Sequence, residues 1–181
     1  MTFKFVTGTL AAAVVAVSLP LVSTQVFAAG SHGSDAELGA PGVASDATRT
    51  IEVTMHDNYY EPERIDVQEG ETVRFVVKNE GDLVHEFNIG TAEGHAAHQE
   101  EMMMMVEHGV LEADRINWTA ARKMQASMGH GAHDDPNSTL LEPGETGEII
   151  WRFPEHATLE FACNVPGHYD AGMMGEINLT H

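Results

Sequence analysis

Cysteine is nearly missing from this chain: Cys163 is the single one in 181 residues, so no internal disulfide can form. Cations are scarce as well, with 9 Lys and Arg against 28 Asp and Glu, a formal net charge of −19. That balance argues against nucleic acid and anionic membrane surfaces as partners and favours cations or proteins with a basic surface. No apolar run reaches the roughly 20 residues that span a bilayer; the run from Leu10 to Val22 is broken by Ser18 and Pro20. Nucleophile elbow, phosphate-binding Gly loop and His-Glu-x-x-His are all lacking, so hydrolysis has no support.

What is present begins with a leader. Lys4, the short apolar run and the small-residue site at Val26, Phe27 and Ala28 read as a secretory signal over residues 1–28, cleaved near Ala28. The alternative is a stop-transfer anchor, which the polar sequence after the run disfavours. The signal predicts a periplasmic protein with no membrane span in its mature form. A lone thiol sent to an oxidising compartment is a liability unless something occupies it, and a soft metal is one occupant. Eleven His and ten Met add nitrogen and thioether ligands to that inventory.

Residues 29–48, rich in Gly, Ala, Ser and Asp, read as a flexible N-terminal segment. From Arg49 the pattern changes to short alternating strands: Ile51 to Met55, Arg64 to Val67, Thr72 to Lys78 and Leu83 to Ile89. A second block holds a strand near Leu140, then Gly147 to Phe153, Thr158 to Cys163 and Gly175 to Leu179. Strands this short, separated by turns such as Asn79-Glu80-Gly81-Asp82, predict an all-β sandwich over residues 49–181. Residues 91–137 interrupt it with two helical stretches, Ala92 to His108 and Asn117 to Met128, read as an insertion.

The segment Cys163-Asn-Val-Pro-Gly-His168-Tyr-Asp-Ala-Gly-Met173-Met174 carries the most information. It sets a thiolate, an imidazole and a thioether at steps of five residues on one loop between two strands. One Cys, two His and a weak axial Met form the set that binds type 1 copper, a compromise between Cu(I) and Cu(II) preferences. The second imidazole is assigned to His85, which sits on an earlier strand and would pin the loop to a rigid scaffold. Pro166-Gly167 and Gly172 supply the bends. Met173 against Met174 is a question of register.

These motifs resemble the cupredoxin family, which includes plastocyanin, azurin and pseudoazurin. The family's C-x4-H-x4-M loop matches Cys163, His168 and Met173, selecting Met173, and its isolated upstream His matches His85 in Val-His-Glu-Phe. The resemblance covers about residues 49–90 and 138–180. It implies a Greek-key β-sandwich of about eight strands, with copper near one end shuttling one electron between redox partners. The chain looks most like the periplasmic cupredoxins of copper tolerance in Gram-negative bacteria, which carry an insertion before a stretch similar to His133-Asp134-Asp135-Pro136-Asn137.

That insertion departs from plastocyanin and azurin. On a helix, His95, His98, Met102 and Met105 fall on one face, whereas Met102 to Met105 sweep too wide an arc to lie wholly in one apolar stripe. Met124, Met128, His130 and His133 extend the same chemistry. Two readings stand: methionines as ordinary helix packing, or additional Cu(I) sites that make the protein a cuprous oxidase or copper buffer. A zinc site of clustered His and Glu is a third. An ordinary soluble electron carrier between respiratory partners is the alternative function. The single domain and the lack of a His-x-His pair argue against a multicopper oxidase.

Overall fold

The computed structural model describes residues 35–128 and 135–181. Ten strands form two five-stranded sheets. In chain order, the short helix α1 (Asp35–Leu38) leads to β1 (Ala40–Pro41), β2 (Arg49–His56), β3 (Tyr59–Glu61), β4 (Arg64–Gln68), β5 (Thr72–Asn79) and β6 (His85–Gly90). Helices α2 (Ala92–Glu107) and α3 (Trp118–Met128) follow, then β7 (Ser138–Leu141), β8 (Thr146–Arg152), β9 (Leu159–Ala162) and β10 (Met174–Thr180). One sheet runs β1-β8-β5-β2-β3 and the other β4-β10-β9-β6-β7. The all-β sandwich and the helices between β6 and β7 agree with the reading of the sequence.

Alternation makes the sandwich. Along β5 every second residue, Val73, Phe75 and Val77, is buried, and the same holds for Ile65 and Val67 on β4. These side chains meet Phe87, Ile89, Phe153 and Phe161 between the sheets in one cluster that also contains Cys163 and Met173. Each fully buried large apolar side chain contributes about 1.5–3 kcal/mol, so the sandwich is the stable platform for whatever its loops carry. β6 differs from the other strands: all six of its residues are buried, because the insertion covers the face that would otherwise meet water.

Two strands exceed the eight expected, both too short for periodicity to reveal. β3 is a three-residue hairpin partner of β2. β1 lies in the segment expected to be flexible: Ala40 and Pro41 pair with β8, and the Trp151 indole N–H donates to the Leu38 carbonyl at 3.0 Å. Both helices match their expected bounds to within one residue. Thr91 caps α2 by accepting from the Gly94 N–H at 3.0 Å. The helices enclose a second cluster of Val84, Met102, Met105, Val110, Leu111, Ile116, Ala121 and Met124, and Val165 of the Cys163 loop is packed against both clusters. No helix among the described residues is long and apolar enough to cross a membrane.

Candidate metal centre

His85 opens β6, Cys163 follows the end of β9, and His168 lies on the loop leading to β10, so neighbouring strands of one sheet deliver all three to one end of the sandwich. The loop folds tightly on itself: the His168 N–H donates to the Val165 carbonyl at 2.9 Å, Met173 N–H to His168 carbonyl at 3.0 Å, and Cys163 N–H to Met173 carbonyl at 3.1 Å. Gly167 and Gly172 take positive φ, 89° and 95°, at the two bends read from the sequence.

The ligand atoms converge. His85 Nδ1 and His168 Nδ1 are 3.2 Å apart, Cys163 Sγ is 3.3 Å from His168 Nδ1 and 3.9 Å from His85 Nδ1. A trigonal ion with metal–nitrogen bonds of about 2.0 Å and metal–sulfur bonds of about 2.3 Å needs edges of about 3.5 and 3.8 Å. The donor set thus fits a mononuclear metal with only tenths of an ångström of adjustment. Met173 is fully buried, while Met174 is 39% exposed, so the inward side chain is the one that the ligand spacing selects.

Electrostatics favour a cation. Burial pushes the Cys163 thiol well above its ordinary range, and the nearby Glu86 carboxylate adds to this, so the sulfur ionises only when a positive charge replaces its proton. Backbone N–H groups oppose that cost, with the Glu86 N–H donating to Sγ at 3.4 Å. Burial also holds His85 and His168 below the usual imidazole range, leaving both neutral with a lone pair available. His85 Nε2–H donates to Asp57 Oδ1 at 2.9 Å, which fixes the tautomer with Nδ1 facing the sulfur. Asp57, on the β2–β3 turn, also accepts from the Asp82 N–H at 3.1 Å. Gly81 is required beside them: a Cβ there would stand 2.4 Å from Asp57 Oδ1 and 2.8 Å from His85 Nε2.

A polar network that the sequence did not reveal lies behind the triangle. Glu86 is fully buried, and its carboxylate accepts from His98 Nε2 at 2.9 Å, Ser138 Oγ at 2.6 Å, Asn164 N at 3.1 Å and Asn164 Nδ2 at 2.8 Å. Asn164 Nδ2 also lies 3.1 Å from His95 Nδ1. Burial opposes charge on His98, yet Glu86, Asp135 and Glu101 together hold its pKa up at about 9. The insertion is therefore joined to the residues next to both His85 and Cys163.

His95, His98, Met102 and Met105 share the buried face of α2, as their spacing implies, and Met103 is exposed. His98 is bonded to carboxylates, whereas Met102, Met105 and Met124 lie among apolar side chains. Met128 ends α3; its side chain, His130 and His133 lie outside the described residues.

Comparison with known proteins gives consistent likenesses. A family profile described as a cupredoxin-like domain matches residues 19–97. A copper-resistant cuproprotein CopI of Pseudomonas aeruginosa is 45% identical over 172 residues, covering 88% of this chain and 93% of its own length. A protein of the same name from Rubrivivax gelatinosus is 39% identical over 152 residues, covering 82% and 78%. Among solved structures, auracyanin B is similar in fold, with a TM-score of 0.54 and 23% identity over 82% of this chain and 100% of that one.

Proposed function

This chain belongs to the cupredoxin family, and on that premise we propose that it is an exported copper protein of copper resistance that performs one-electron chemistry at His85, Cys163, His168 and Met173. The observation that carries the reading is the triangle of two neutral imidazole nitrogens and one buried thiol, with all three ligand atoms within 4.8 Å of one another. Copper bound there would supply the Cu(I)/Cu(II) couple. The chain's own part is to hold the ligands in a nearly fixed geometry and keep water from the sulfur: Cys163, Met173 and His85 are completely buried. His168 alone among the four is half-buried, which makes its ring the route by which an electron reaches the surface. The role in copper resistance rests on the likeness to the CopI proteins, and export on residues 1–28, which lie outside the described residues.

A second reading, an ordinary electron carrier for a redox partner with a basic surface, is favoured by one observation: Met102, Met105 and Met124 sit in an apolar cluster and fit packing. Copper counting separates the two. With Met102 to Met105 changed to Leu and copper counted as Cu(I) under a reductant, loss of the Cu(I) held beyond the Cys163 centre supports collection of Cu(I) by the insertion. An unchanged count with an unchanged visible spectrum favours the carrier.

A further inference from the structure

At the other end of the sandwich three segments bring a second set of metal-binding atoms together. Glu69 lies on the β4–β5 turn, His156 on the β8–β9 loop, and His181 directly after β10. The parallel pairing of β4 with β10 ends at Gln68 and Thr180, so Glu69 and His181 are the next residues along the two strands. The Glu69 N–H donates to the Thr180 carbonyl at 3.0 Å, which ties the segments together. Glu69 Oε1 accepts from the His156 N–H and from its Nδ1, each at 3.0 Å, and Oε2 accepts from His181 Nδ1 at 2.9 Å. The imidazole rings lie 5.6 Å apart, and the three ligand atoms are all within 4.8 Å of one another.

We propose that Glu69, His156 and His181 form a second metal site, one that takes a hydrated divalent cation of the late first-row series. Two imidazoles and one carboxylate suit Cu2+ and Zn2+, with Cu2+ ahead in intrinsic affinity, and the site contains no sulfur to favour Cu(I). Its exposure allows water to complete the coordination sphere: the His156 and His181 side chains are 73% and 79% exposed, while Glu69, at 14%, is the anchored ligand. β10 runs between the two centres, and its seven residues separate them by on the order of 20 Å. The site is thus independent of the Cys163 centre and lacks the sulfur ligands that let that centre hold Cu(I) as well as Cu(II). The surrounding acidity, a net −19 over the chain, raises the local concentration of such cations.

The test counts ions by equilibrium dialysis of the full chain against micromolar free Zn2+, for wild type, His156→Gln, His181→Gln and the double variant. Only the difference between proteins matters, so binding elsewhere cancels. The expected result is one Zn2+ fewer per chain in the double variant. Each single variant should weaken that ion by at least the roughly 10–100-fold that a lost supporting group costs a metal site. Both rings are exposed, so all variants should keep the wild-type thermal midpoint. An equal Zn2+ count in wild type and the folded double variant would overturn the proposal.

Discussion

Asp57 holds one of the proposed copper ligands without being a ligand itself. Its carboxylate holds the His85 ring by one hydrogen bond, and that bond lowers the Asp57 pKa, so the acceptor stays ionised at neutral pH. Replacing Asp57 by Ala frees the ring to rotate and should weaken copper binding by about 10–100-fold in competition with a chelator, while Asp57→Asn, which keeps an acceptor oxygen, should recover most of the loss. Affinity unchanged in Asp57→Ala would show that burial alone positions the ring. Three of the four ligands proposed for the centre could be read from the sequence because a thiol, an imidazole and a thioether at equal steps on one loop form a dense local signal, and His85 was assigned from its place on an earlier strand. Asp57 could not, since an Asp in Asp57-Asn58 looks like any turn former. Its role arises only when the hairpin brings it next to Gly81, where no side chain fits.

At the scale of elements, α2 is locked to the β-sandwich by a buried ion pair as well as by its methionines. His98 donates to Glu86 from one ring nitrogen and to Glu101 from the other. Its pKa stands at about 9 in the folded chain, against an ordinary value near 6.5. A folded-state pKa above the unfolded one stabilises fully below pH 6.5 and loses that stabilisation as pH rises through 9. Stability should therefore fall between those limits by up to about 1.4 kcal/mol per pH unit. Denaturant unfolding of wild type and His98→Gln across this range checks it: the variant should lose the slope, and parallel curves would contradict the pairing. Helix α2 was legible because His95, His98, Met102 and Met105 recur at one-face spacing, and its buried face is the one that spacing picks out. β1 and β3 were not, since two or three residues cannot display a period and pairing alone makes them strands. The Glu86 network was hidden for a related reason. A Glu in a strand reads as a solvent-facing residue until an insertion closes over it, and nothing local in Val-His-Glu-Phe announces that cover.

Across the whole molecule, the two sets of candidate metal ligands lie at opposite ends of one sandwich. Strands β6 and β9 and the β9–β10 loop bring the thiol and two imidazoles together at one end, and the ends of β4 and β10 with the β8–β9 loop bring the Glu69 carboxylate and two exposed imidazoles together at the other. The core between them, with six aromatic side chains among its buried residues, Tyr60, Phe75, Phe87, Trp151, Phe153 and Phe161, keeps both sets of backbones fixed. Among the described residues the helical insertion packs at the Cys163 end, where Val165 touches both hydrophobic clusters. The central claim is that Cys163 and the imidazoles of His85 and His168 bind a single copper. The visible spectrum of the full chain after addition of one equivalent of Cu2+ tests it most directly, with Cys163→Ser alongside. An intense thiolate-to-copper charge-transfer band in the wild type that is absent from the folded variant is the predicted result; a wild-type protein that binds copper without such a band would contradict the assignment.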